Sequence, residues 1–96
     1  MSAAKVMTIR ITQIENEKRQ TTILRVEGKL HPAEAEIVEQ AFENIHQRNG
    51  QTIEIDLKAI SFISDDSAAV LRRIEKRGAV LTGLDFFIRQ VIETHE

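Results

Sequence analysis

The chain of 96 residues has no cysteine, no tryptophan and no tyrosine, and only one proline and four glycines. Without cysteine there is no disulfide, no thiolate nucleophile and no Cys-ligated zinc, so the fold must hold by packing alone. Four phenylalanines are the whole aromatic inventory beyond histidine, too few for the stacking platforms that hold single-stranded nucleic acid. A formal net charge of −2 gives no bulk attraction to nucleic acid or anionic lipid. No apolar run approaches the roughly 20 residues that a membrane span needs. Behind Met1, Ser2, Ala3, Ala4 and Lys5 the chain turns polar at Thr8 and Arg10 instead of entering an apolar stretch, which speaks against a secretory signal. These absences predict a cytoplasmic protein that inserts in no membrane, binds no nucleic acid and meets a protein partner. Residues 1–96 are expected to form a single domain with one modest core, because a chain of this size buries only about two-thirds of its unfolded surface or less.

What is present reads as alternating elements. Residues 7–12 and 22–27 alternate apolar and polar as strands do, with the charged stretch 15–19 as a solvated turn between them. Gly28 is expected to end the second strand, and Pro32 to open a helix at a position where its missing N–H costs nothing. In that helix Ile37, Ala41 and Ile45, flanked by Val38 and Phe42, form an apolar stripe opposite Glu34, Glu36, Glu39, Gln40 and Glu43, and Asn49-Gly50 supplies the stop. A third strand over 52–57 leads through an apolar stretch into a polar turn. A short second helix follows, with Val70, Leu71 and Ile74 facing inward and Gly78 closing it. Residues 79–84 make a fourth strand, and Asp85 caps a last helix in which Phe87, Ile88, Val91 and Ile92 repeat at helical spacing and whose last turn frays. The predicted fold is α/β, a mixed four-stranded sheet in the order β-β-α-β-α-β-α with a parallel core.

The polar turn Ser64-Asp65-Asp66-Ser67 is the candidate site, since ligands of open α/β sheets meet the loops at the carboxyl ends of strands. Lys29, His31 and Asp85 are its expected neighbours. One of Asp65 and Asp66 is expected to cap the second helix, which leaves the other carboxylate and Ser67 available to a partner. A hydrolytic arrangement of Ser64 or Ser67 with His31 and Asp85 lacks the G-x-S-x-G elbow and glycine-rich oxyanion loop such chemistry uses, so no enzyme and no catalytic residue is expected. Three scattered histidines give no zinc spacing, and no metal or other cofactor is expected. His46 is read as a surface residue. The cations Arg72, Arg73, Lys76 and Arg77 are read as a solvated complement to the helix C-terminus, and the glutamates of the first helix as a wet face.

The segment 56–71, followed by Arg77-Gly78-Ala79-Val80-Leu81-Thr82-Gly83-Leu84, resembles the core of a STAS domain, the family of sulfate-transporter cytoplasmic domains and anti-sigma-factor antagonists. The family pattern is roughly D-L-x-x-V-x-F-I-D-S-S-G-L-A-V-L, and it matches without a gap except at the turn. Where the family carries Asp-Ser-Ser-Gly with the second Ser as phosphoacceptor, this chain has Ser64-Asp65-Asp66-Ser67, which puts Asp66 at the acceptor position; a slide of one residue would put Ser67 there instead. The resemblance covers most of the chain from about Thr21 onward, although the second helix is about a turn or more shorter than in the phosphorylated antagonists. It implies a non-catalytic interaction module, not switched by phosphorylation at the usual site, whose partner is an anti-sigma factor or serine kinase. Alternatives are a soluble accessory subunit of a membrane transporter and a small nucleotide- or ligand-binding module. Oligomeric state and the identity of the partner are not legible in the residues.

Overall fold

The computed structural model describes residues 9–93, with the side chains of Asn49, Phe86 and Phe87 excepted. The elements run β1 (Ile9–Asn16), β2 (Thr21–Leu30), α1 (Pro32–Asn49), β3 (Thr52–Asp56), β4 (Ile60–Ile63), α2 (Asp65–Lys76), β5 (Val80–Thr82) and α3 (Phe86–Glu93). β1 and β2 form an antiparallel pair, and β3, β4 and β5 join in parallel. The sheet is therefore mixed and α/β as expected, but it has five strands rather than four.

The fifth strand arises because β2 is longer than its sequence suggested. Gly28 does not end it: the strand continues through a register shift between Gly28 and Lys29 to Leu30, and the extra length pairs with β4. Its first half, from Thr21 to Arg25, pairs with β3. Thus β3 and β4 lie one after the other along the same side of β2, joined by a turn in which Ile60 N–H donates to Leu57 O at 3.1 Å. β1 also extends beyond the expected bound, through Glu15 and Asn16, while Met7 and Thr8 lie outside the described residues, as does the last turn expected to fray. β5 is shorter than the stretch 79–84 and pairs only over its three residues.

Side-chain period then sets the layers. Leu24 and Val26 of β2, Ile53 and Ile55 of β3 and Leu81 of β5 are buried on one face, under the three helices. α1 starts at Pro32 and stops at Gly50, whose φ of 64° is the left-handed conformation that glycine adopts without a Cβ penalty. Its buried stripe is Ala35, Val38, Phe42 and Ile45; Ile37 is rotated out of it and exposed. α2 buries Ser67, Ala68, Val70, Leu71 and Ile74. In α3, Ile92 is fully buried and Ile88 and Val91 partly so.

The glutamates of α1 and the cations of α2 are not independent wet faces. Arg73 donates two hydrogen bonds to the Glu39 carboxylate, at 2.8 and 2.7 Å, and Arg77 donates to Glu43 at 3.0 Å. Both pairs are 34 residues apart. That equal spacing follows from two helices running in the same direction, each following a parallel strand, with residues four apart on matching faces. Glu75 continues the network by accepting from Arg72 at 3.2 Å and from Arg89 of α3 at 3.0 Å.

The bidentate hydrogen bond from Arg73 holds Glu39 below its ordinary pKa of 4.5, against the opposing effect of partial burial. A carboxylate lowered by folding stabilises above its unfolded pKa, and that contribution disappears as pH falls through the folded value. Arg73→Ala is expected to cost less than about 1 kcal/mol at neutral pH, because the Arg73 side chain is half exposed and solvent screens the pair. The difference from wild type should shrink as pH drops below about 4 in urea-unfolding experiments; a gap that widens with acid would contradict the pairing.

Candidate functional site

The turn 64–67 is held by β4 and α2 together. Leu30 and Ile63 are register partners at the end of the β2–β4 ladder, and Ser64 N–H donates to Leu30 O at 3.2 Å. The helix starts at the next residue. Its N-cap is Ser64, not Asp65 or Asp66: the Ser64 hydroxyl oxygen accepts from Ser67 N–H at 3.1 Å, and the hydroxyl donates to Ser67 Oγ at 2.8 Å. A capping oxygen must sit on the residue with extended backbone just before the helix, and Ser64 has φ −85° and ψ 165°. Asp65 and Asp66 are already in the first turn, where their charges favour the helix dipole without capping it.

Ser67 is consequently inside the protein. It is 0% exposed, and its Oγ is taken up by Ser64. Asp65 and Asp66 point the other way and are exposed. Ser64→Ala is expected to destabilise by about 1 kcal/mol, the usual cost of losing an N-cap, whereas Asp66→Ala should change stability by a few tenths. Chemical denaturation of the two variants would test the assignment, and equal losses would refute it.

His31 lies on the same end of the sheet. It is the residue before α1, but its side chain makes no capping hydrogen bond, and its ring instead meets Phe62 of β4 at 5.0 Å between centroids with a 40° tilt. Phe62 is 42% exposed, while its neighbours Ile60 and Ile63 are buried and partly buried. Lys29 is in register with Phe62 and is exposed. The arrangement is an aromatic pair with Lys29 in register beside Phe62, and the two carboxylates follow Phe62 by three and four residues in the first turn of α2.

Asp85 stands differently. It follows β5, whose last paired residue Thr82 is level with Asp56 of β3, whereas the turn follows the further strand β4. Its carboxylate accepts from Ile88 N–H at 2.8 Å and so caps α3, as its place in the sequence predicted. Phe62 was missed as a site residue, because an apolar run around 60–63 reads as core; two residues apart, Ile60 and Phe62 would share a face of a regular strand, and only the register shift against Gly28 and Lys29, which leaves Ser61 as an extra residue, turns Phe62 outward.

His46 is exposed, as expected of a surface residue, and its ring stacks on Phe42 at 5.2 Å. Among the described residues no cluster of three or more His, Asp or Glu is arranged to hold a metal ion. No helix of the described residues is long and apolar enough to cross a membrane.

No protein-family profile matches the sequence, and no curated protein matches it. Among solved structures, the crystal structure of an antisigma-factor antagonist, a STAS domain from Rhodobacter sphaeroides, is similar with a TM-score of 0.62 and 23% sequence identity, over 79% of this chain and 87% of that one. At that identity the likeness is one of fold. The chain has the STAS-domain fold, an α/β mixed sheet with three helices, which is the fold the segment 56–84 resembled.

Proposed function

We propose that the protein is a non-catalytic regulatory module that docks a protein partner through the turn 64–67, the exposed start of α2 and the His31–Phe62 pair. The observation that carries this reading is Phe62: a large apolar side chain, 42% exposed and in ring contact with His31, three and four residues before the exposed carboxylates that open α2. An aromatic anchor with a charged rim is the make-up of an interface centre, and a standard interface would use about 800 Å² of this surface. The similar fold of an antisigma-factor antagonist supports a regulatory role and a protein partner.

The site is also proposed to lack a phosphorylation switch. In the ungapped register Asp66 occupies the acceptor position and Ser67 that of the family's glycine, and a buried small residue at 67 fits that register. The shifted register would need phosphate on a hydroxyl that is buried and hydrogen-bonded to Ser64. Asp66 carries one negative charge against the −1.5 to −2 or so of a phosphoserine, so it imitates the modified state only in part. The hydroxyls of Ser64 and Ser67 bond each other and His31 faces Phe62, which favours binding over nucleophilic chemistry.

Affinity capture of the tagged protein from cytoplasmic and membrane extracts, with mass spectrometry of what co-purifies, tests the docking site. Asp66→Lys should weaken recovery of the partner at least tenfold, and Gln90→Ala on the exposed side of α3 should leave it unchanged. A kinase-type regulator in the capture supports the signalling reading, and a permease or transport ATPase supports an accessory subunit of a transporter. Retention by Asp66→Lys at full strength would remove the site. Intact mass after incubation with a recovered kinase and ATP addresses the switch: stoichiometric phosphate on the wild type would overturn it.

A further inference from the structure

The face of the sheet turned away from the helices has nothing of the described chain packed on it, although β2, β3 and β5 are parallel neighbours and parallel strands are ordinarily covered on both faces. The register arranges its outward residues in rows. One row runs Thr12, Arg25, Asp56, Thr82 across β1, β2, β3 and β5; the next runs Ile14, Ile23, Glu54, Val80. Arg25 and Val80 are exposed, Val80 by 45%. Asp56 holds Arg25 Nε at 3.4 Å through one oxygen and accepts Lys58 N–H at 3.0 Å through the other, so the two charges keep fixed places.

The first row is its own complement. Read from either end it goes polar, charged, oppositely charged, polar, and the reversal point is the line between β2 and β3. A twofold axis along that line, parallel to the strands, would bring a second copy's Asp56 onto Arg25, its Arg25 onto Asp56, and its Thr82 onto Thr12. In the next row the same operation sets Ile14 against the second copy's Val80 at both ends. Ile23 meets Glu54 at the centre, where the Glu54 carboxylate is drawn aside by the Thr82 hydroxyl at 3.2 Å. An axis across the strands would instead oppose Arg25 to Arg25, so the order of charges selects one symmetry. Isologous contacts require this kind of self-complementary patch.

We propose that the protein self-associates through this open sheet face, as a symmetric dimer in which each Arg25 lies between its own Asp56 and that of the second copy. The two rows leave out the turn 64–67, whose variant Asp66→Lys tests the partner reading separately, while Phe62 faces the same side of the sheet further along β2, in register with Lys29. Four strands about 4.8 Å apart, taken over the five residues of β3 at about 3.3 Å each, give a patch of at most roughly 20 by 17 Å. That is less than half of what a standard interface uses on each partner, so the dimer should be weak and concentration-dependent.

Sedimentation velocity over the micromolar to millimolar range tests it. The wild type should show a monomer–dimer equilibrium. R25D and D56R should each raise the dissociation constant at least tenfold, by placing like charges opposite each other. Mixing the two variants in equal amounts should restore dimers, because each like-charged patch then faces its opposite, and the double variant R25D/D56R should dimerise alone. V80K, which puts a cation against Ile14, weakens the dimer by a separate contact and serves if a charge variant proves unfolded by circular dichroism. A monomer at every concentration, or a dimer indifferent to the charge variants and to their mixing, overturns the proposal.

Discussion

Phe42→Ala should be the most damaging single truncation in α1, lowering stability by about 3–5 kcal/mol. The ring is 1% exposed and is the largest fully buried side chain. His46 stacks on it with planes 16° apart, and the Arg77 guanidinium lies 5.8 Å from its centroid. Cutting it back to a methyl group leaves a cavity where α1 meets both the sheet and α2, and also removes the surface on which Arg77 is laid. A protein of this size has only some 5–15 kcal/mol in total, so the loss takes about a fifth of it or more. Urea unfolding should show a lower midpoint with an unchanged slope. The effect reaches the docking turn, because α2 carries Asp65 and Asp66 and leans on α1 through this ring and the Glu39–Arg73 and Glu43–Arg77 pairs. A loss under about 1 kcal/mol would mean that the two helices do not pack through Phe42.

Gly83→Ala should cost about 2–5 kcal/mol, for two reasons that can be separated. The backbone at Gly83 has φ 77°, a left-handed conformation that costs an L-residue about 1–2 kcal/mol. A Cβ there would also lie 2.7 Å from Lys58 N and 2.9 Å from Lys58 Cα, so the backbone between β3 and β4 must move, at about 1–3 kcal/mol. Gly50 has a similar φ of 64° and nothing within 4 Å of the place a methyl group would take, so Gly50→Ala should show the backbone cost alone. The pair of variants, compared by chemical denaturation, measures the clash as a difference. Since β4 carries Phe62 and ends at Ile63, just before the capping Ser64, amide exchange at residues 58–64 should also speed up in the Gly83 variant and not in the Gly50 variant. Equal effects of the two substitutions would show that the chain after β5 does not pass against Lys58.

The helices were legible because each is bounded by local chemistry: Pro32 and Gly50 around α1, Asp85 before α3, and apolar residues at helical spacing within. The strand ends were not. Gly28 reads as a stop, yet β2 runs past it, because Lys29 and Leu30 find pairing partners 33 residues further on, in Phe62 and Ile63, across a register shift that leaves Ser61 of β4 as the extra residue. The same long-range pairing makes a strand of Ile60–Ile63 and raises the sheet to five. The site shows the same division. That residues 64–67 form a polar helix start was readable, but which of four polar residues caps it depends on backbone angles, and the choice of Ser64 buries Ser67 and exposes both carboxylates.

Readable from the residues alone were every described element except β4, the faces of the main strands and helices, the absence of disulfide chemistry and the position of a polar turn after an apolar stretch. These follow from short-range periodicity and from residue types with local conformational preferences. Tertiary structure alone decided that Phe62 faces outward beside His31, that the α1 glutamates and α2 arginines are partners, and that Thr12, Arg25, Asp56 and Thr82 stand in one row. Each of these joins residues from separate elements, and only strand register and the shared direction of α1 and α2 bring them together.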